Sequence, residues 1–278
     1  MTQLSPEALN ELARRDVATP ITGDELQTAL ASPPFVDGGL INLRDLGLVP
    51  NCPIPAGKFF RCGQIVESDQ ANQWIRDHVK VIVDLRKAGE RKRSPDPEIE
   101  GVDNIWYDPE QDGWKAQKLL IEDFERENGS AIGWAEQYVL VLRYYHRTFR
   151  AALEHIRDHP EDPMLFHCSA GRDRTGIFAW ILEYLAGTPE KDRTFDYLLT
   201  RIGIEPARLM FENHFKTSWG ITDLTNKGYL NAMTLSPDCF TLVTEEVTKE
   251  YGGWDEYLEK KLGFSKEDLD KIRANLTK

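Results

Sequence analysis

Cysteine is scarce in this chain of 278 residues. Cys52, Cys62, Cys168 and Cys239 occur without a Cys-x-x-Cys pair or a regular spacing. That pattern argues against a disulfide framework and a thiolate zinc site. It suits a reducing compartment, so a cytoplasmic location, with nuclear access open, is expected. Long apolar runs are missing too. Stretches such as Tyr138–Leu142 and Gly176–Leu182 fall far short of the ~20 residues of a transmembrane helix, so no integral membrane association is expected. Residues 1–16 hold no apolar core flanked by basic residues, and no secretory signal is read there. Positive charge is in deficit: 34 Lys and Arg against 46 Asp and Glu leave −12. Such a surface repels a phosphate backbone, so nucleic acid is not an expected partner. There is no HExxH, no metal-type His/Asp spacing and no Gly-x4-Gly-Lys-Ser/Thr loop. No metal and no cofactor are therefore expected.

What is present is 41% hydrophobic and 10% aromatic content, enough for a sizeable core. Ser5-Pro6 reads as the cap and first turn of a helix to about Arg15. A second helix is expected over Asp24–Ala31, ended by Pro33 and Pro34. Short strands follow at Phe35–Val36, Ile41–Leu43, Phe59–Cys62 and Val81–Leu85, with a helix over Gln70–His78 between the last two. That β-α-β rhythm implies a mostly parallel sheet. Arg91–Glu98 is charged and proline-rich and reads as an exposed loop, and Ile105–Tyr107 as a further strand. Trp134, Tyr138, Leu142, Tyr145, Phe149 and Ile156 recur at helical steps until Pro160, which predicts one amphipathic helix. Gly176–Leu185 predicts an apolar helix closed by Gly187. Further helices are expected from Thr188-Pro189, near Pro206, from Ser236-Pro237, near Trp254 and from Ser265, where Asp268 completes a capping box. The expectation is an α/β fold: a central, mostly parallel sheet wrapped by helices, with a helical C-terminal portion. Residues 1–25 read as a helical extension and 26–278 as one domain.

One segment carries chemistry. His167-Cys-Ser-Ala-Gly-Arg-Asp-Arg-Thr-Gly176 lies between the apolar run Met164–Phe166 and an apolar helix beginning near Arg174. It reads as strand, tight loop and helix N-terminus. The successive N–H groups of Ser169, Ala170, Gly171, Arg172, Asp173 and Arg174 can converge on one anion, and the helix dipole adds partial positive charge. Gly171 bends the backbone where a side chain would crowd it. Arg174, six residues after Cys168, can fold a planar guanidinium over the anion in a bidentate grip. A tetrahedral phosphate dianion suits this cradle better than a carboxylate. Cys168 lies at the bottom, where N–H donors favour thiolate. A thiolate beneath a bound phosphate is placed for in-line attack on phosphorus. The Cys-x5-Arg spacing alone is weak, and its context of strand, glycine and Arg-Thr-Gly gives it weight. The other cysteines carry Lys58, Ser68 and Glu245 at that spacing and lack the context.

These residues resemble the signature of the Cys-x5-Arg protein tyrosine phosphatases. Asn42-Leu-Arg-Asp-Leu-Gly47 resembles the opening motif of the bacterial and fungal tyrosine-phosphatase subgroup with an Asp inside the phosphate loop. Phe60-Arg-Cys-Gly-Gln64 is similar to that subgroup's Arg-Ser-x-Gln strand, with Cys62 where a Ser is usual. Val81–Arg86 with Glu90-Arg91 resembles its Asp-Leu-Arg segment, and Asp196–Thr200 and the Tyr257–Leu276 helices are similar as well. The resemblance spans about residues 35–276. It implies Cys168 as nucleophile through a phosphocysteine intermediate, and Arg174 as binder of the phosphate oxygens. It also implies Asp173 as general acid; the alternative is Asp108 of Trp106-Tyr-Asp-Pro109, which precedes a helix and could swing in from another loop. Thr175 is expected to donate to the Cys168 sulfur and His167 to orient the loop. Asn42, Arg44 and Asp45 are expected to brace the loop from beneath, and Asp84 and Arg86 to pair with loops at the sheet's C-terminal edge. Trp134, Tyr138 and Trp180 read as core. The implied substrate is phosphotyrosine in proteins, with phosphoserine and phosphothreonine also open. Phosphoinositides or inositol phosphates are the alternative, resting on Arg172 at the loop's outer rim. A phospho-binding module without turnover is the alternative from another class.

Overall fold

Val81–Asp84 and Met164–His167 are short apolar runs buried on both faces, as central parallel strands are. The computed structural model describes residues 3–115 and 120–278, without the side chains of Ser218 and Trp219. Its sheet contains β1 (Arg44–Asp45), β2 (Phe59–Cys62), β3 (Val81–Asp84), β4 (Asp103–Ile105) and β5 (Met164–His167) in the order β1-β2-β5-β3-β4. Only β1 runs antiparallel. β5 pairs with β2 and β3 so that Cys62, His167 and Asp84 end level. The segments that follow these three residues therefore leave the sheet side by side at its carboxyl edge, where open α/β sheets carry their sites.

Alternation along β5 sorts the chemistry. Met164, Phe166 and Cys168 join the larger apolar cluster, while Leu165 joins the smaller one on the other face. The helix Asp173–Ala186 crosses the larger cluster and is buried nearly all round. Trp180 stacks on Phe240 with ring centroids 4.1 Å apart, and Gly187 ends the helix at φ 86°. Ser68 caps the helix Asp69–His78. Ser265 and Asp268 form the expected capping box on the helix Lys266–Leu276. Residues 3–36 also contribute to the core: Leu9, Leu12 and Ile21 lie in the larger cluster. Ile21 N–H donates to Glu205 Oε1 at 2.8 Å, and Arg201 Nη2 donates to the Thr19 carbonyl at 2.8 Å.

Four local expectations change. Phe35–Val36 and Ile41–Leu43 form no ladder beyond one bridge, Phe35 to Arg44. Pro33 and Pro34 lack N–H donors and Gly38-Gly39 turns the chain. The fourth parallel strand is Asp103–Ile105 rather than Ile105–Tyr107, because its pairing with Val81–Val83 sets its position. The run from Trp134 to Pro160 is two helices, Gly129–Tyr144 and His146–Asp158, parted where Tyr145 leaves helical geometry (φ −94°, ψ 11°). Arg91–Arg93 belongs to a helix, Ala88–Arg93. There Arg91 pairs with Asp84 at 2.8 Å and lies over the Trp106 ring, so a partner beneath orders the basic run. Among the described residues no helix is long and apolar enough to cross a membrane.

Candidate active site

The loop after β5 is shaped by what holds its carbonyls. The Gln64 N–H donates to the Ser169 carbonyl at 2.9 Å. Asn42 Nδ2 donates to the Ala170 and Gly171 carbonyls at 3.1 Å each, and Arg61 Nη2 to Gly171 at 2.9 Å. A planar trans peptide puts its N–H opposite its carbonyl. The N–H groups of Ala170, Gly171 and Arg172 are thereby turned the other way. Among the described residues, no N–H from Ser169 to Arg174 has a protein acceptor. That is an anion nest. Gly171 has φ 66°, and a Cβ there would come 2.4 Å from the Cys62 carbonyl oxygen, so only glycine fits.

The bracket beneath the loop is a buried charge network. Arg44 Nε donates to Asp196 Oδ1 at 2.8 Å and Arg44 also pairs with Asn42 Oδ1, while Arg61 takes Asp196 Oδ2. Burial opposes the Asp196 charge, yet the two guanidiniums hold its carboxyl below the ordinary range. Gly203 lets Asn42 in: a Cβ there would lie 1.9 Å from Asn42 Oδ1. Asp45 does not belong to this brace. Its carboxylate accepts from the Gly47 and Gly57 N–H groups and shapes the following turn; Asp196 takes the place expected for it.

Arg174 is gripped from one end. Glu90 receives Nη1 at 2.7 Å and Nη2 at 2.9 Å, and the Leu85 carbonyl receives Nη1 at 3.0 Å. These bonds use three of the guanidinium's five donors; Nε–H and one Nη2–H are left, the side fork that two oxygens of a phosphate fit. Glu90 also accepts from Ser169 Oγ at 2.5 Å and the Lys87 N–H at 2.9 Å. Burial opposes its charge, but Arg174 outweighs burial and holds the carboxyl far below the usual range. Ser169 thus serves Glu90 with its side chain. Cys168 lies below, 1% exposed.

His167 faces away from the nest, as alternation requires. Its Nε2 lies 3.1 Å from Asp96 Oδ2 and its Nδ1 3.3 Å from the Cys168 carbonyl oxygen. Asp84, Asp96 and His167 offer ligand atoms within 4.8 Å of one another, a grouping that spacing alone did not suggest. Arg86 pairs with both carboxylates, at 2.9 and 2.7 Å, and Arg91 adds to Asp84. The trio is a salt-bridge knot whose charge these guanidiniums already balance.

Three further expectations meet different geometry. Asp173 borders the cleft and accepts the Tyr138 hydroxyl at Oδ1, 2.8 Å. Asp108 does not line that cleft; it caps a short turn by accepting from the Glu110 N–H at 3.1 Å. Arg172 is not at the outer rim. It is 4% exposed, lies over the Trp134 ring and donates to the Ala232 and Thr234 carbonyls at 2.9 and 3.0 Å. A guanidinium can exchange water for carbonyls and an aromatic face at little cost, and here they tie the loop to the helical portion. Thr175 is fully buried with its hydroxyl unpartnered, so it makes no bond to the Cys168 sulfur.

Above the nest lies a cleft of about 450 Å3 walled by Trp114, Trp134, Tyr145 and Phe215, with Lys87 and Arg93 on its lining. Trp134 and Tyr138 are core residues, as expected, that also border the site. A model described as "Tyrosine phosphatase family" matches residues 37–278. The chain belongs to the tyrosine phosphatase family. A tyrosine-protein phosphatase of Nostoc commune is 29% identical over 150 residues, 53% of this chain and 49% of that protein. The chain spans about half the length of this curated relative.

Membership in this family directs attention to thiol reactivity. Burial pushes the Cys52 thiol up to about 11 and the Cys62 and Cys239 thiols further up. All three are protonated, and so inert, near neutral pH. Iodoacetate, an anion, should therefore alkylate Cys168 alone at pH 7, and inorganic phosphate should protect it. Peptide mass mapping reads this directly; modification of Cys52 ahead of Cys168 would count against the cradle.

Proposed function

We propose that this chain hydrolyses phosphate monoesters, phosphotyrosine in proteins foremost, through a phosphocysteine intermediate. The unclaimed N–H groups from Ser169 to Arg174, above a buried cysteine, carry the reading. A phosphate dianion enters the nest and takes the side fork of Arg174. The Cys168 thiolate attacks phosphorus, the P–S bond forms and the P–O bond breaks. Asp173 gives its proton to the leaving oxygen. Water then attacks phosphorus, Asp173 accepts its proton, and Cys168 departs as thiolate with phosphate released. The depth of Cys168 and the aromatic walls support an aryl ester: a phenyl ring spans the cleft, whereas phosphoserine would have to bring its backbone inside.

Turnover of a chromogenic aryl phosphate separates an enzyme from a binding module; no turnover by the wild type sinks the hydrolase. The acid assignment has its own test. Asp173→Asn should slow a phosphotyrosine peptide ~10²–10³-fold and an activated aryl phosphate only severalfold, since a good leaving group needs little protonation. Asp108→Asn should leave both rates unchanged. The reverse pattern hands the role to Asp108. The inositol-lipid reading loses its support at Arg172, which faces other carbonyls. A second phosphate would instead meet Lys87 and Arg93, so a panel of phosphotyrosine peptides, phosphoserine peptides and phosphoinositides, with Arg93→Ala, ranks the substrates.

A further inference from the structure

Asp173 stands at the first position of a helix, where a carboxylate is free to swing toward backbone N–H groups. It does not swing here. The Tyr138 hydroxyl, from the helix Gly129–Tyr144, donates to Asp173 Oδ1 at 2.8 Å and lies 3.0 Å from the Tyr197 hydroxyl. A phenol has one proton. With Tyr138's given to Asp173, the proton between the phenols belongs to Tyr197, and the chain runs Tyr197 to Tyr138 to Asp173. Arg172 Nε stands 3.5 Å from the same Oδ1. Both partners are thus on one oxygen, and Oδ2 is left for the substrate. We propose that Tyr138, backed by Tyr197, is a positioning residue that holds Asp173 so that Oδ2 carries the catalytic proton. This role rests on the reading of Asp173 as the acid.

The surroundings favour a steady donor. Tyr138 is 0% and Tyr197 2% exposed, and burial pushes both phenols up, so both keep their protons across the neutral range. The other groups facing this corner are Arg172 on the loop, Cys239 on the helix Cys239–Tyr251, whose thiol burial keeps protonated, and Arg174 and His214 on the cleft. Arg172 Nε, at 3.5 Å, stands farther from Oδ1 than the Tyr138 hydroxyl at 2.8 Å. Phe in place of Tyr138 keeps the ring packed against Tyr197 and Phe240 and deletes the bond.

Tyr138→Phe should lower kcat on a phosphotyrosine peptide about tenfold, leave KM within a factor of about two, and spare an activated aryl phosphate. In the Asp173→Asn background it should add nothing, because the proton it positions is gone. Tyr197→Phe, which keeps the Tyr138–Asp173 bond, should show a weaker loss of the same pattern. Equal losses on both substrates, or a loss that adds to Asp173→Asn, would make Tyr138 a packing residue and overturn the inference. If Asp173→Asn itself slows both substrates alike, the acid reading fails first and takes this role with it. Thermal melts of both phenylalanine variants check that the fold persists.

Discussion

Cys168→Ser should abolish turnover, by ~10⁴-fold or more in kcat, while the protein still binds tungstate or inorganic phosphate within a few-fold of the wild type. The two halves of this result come from different parts of the site. On the proposed reading, affinity resides in the N–H groups from Ser169 to Arg174 and in the side fork of Arg174, and none of these atoms belongs to the cysteine side chain. The proposed chemistry needs a nucleophile that also departs in the second step, which a sulfur does far better than a hydroxyl. A serine hydroxyl keeps its proton at neutral pH unless a base is hydrogen-bonded to it. His167, the nearest base in sequence, faces Asp96 instead. Binding can be read by calorimetry and turnover by single-turnover phosphate release. Activity above about a hundredth of the wild type would remove Cys168 from the nucleophile's role.

The parts of this site that sequence made legible are the local ones. From His167 to Gly176, strand, glycine, arginine and helix follow within ten residues, so nearest-neighbour geometry dictates where Cys168 and the N–H groups go. Glu90 stood out in sequence only as part of a motif. Its grip on Arg174 joins residues 84 apart in the chain, and only the level ends of β3 and β5 bring them together. Arg172 shows the opposite failure. Sequence placed it beside Asp173 and Arg174 and so at the rim, but which way a side chain leaves the first helical turn depends on Trp134 and the carbonyls of Ala232 and Thr234. Those lie on elements that pack from elsewhere. Asp196 replaced Asp45 in the brace for the same reason: the partner of Arg44 is set by the packing of the helix Glu190–Gly203, not by adjacency.

Arg174→Ala should cost ~10³-fold in kcat/KM for a phosphotyrosine peptide, because in the proposed mechanism the guanidinium meets phosphate in both ground and transition states. The loss has a second source in this chain. Glu90 is a partly buried carboxylate whose charge is held mainly by Arg174. Without the arginine it keeps, among the described residues, only the Ser169 hydroxyl and the Lys87 N–H as donors, and its charge repels an incoming dianion. Tungstate affinity should fall with activity, in contrast to Cys168→Ser. Arg174→Lys should recover little, since an ammonium cannot hold Glu90 end-on and phosphate side-on at once. Adding Glu90→Gln to Arg174→Ala should restore part of the anion affinity by removing the repelling charge. If the double variant binds tungstate no better than Arg174→Ala alone, Glu90 acts only as a clamp that orients the arginine, and its charge has no part in the loss.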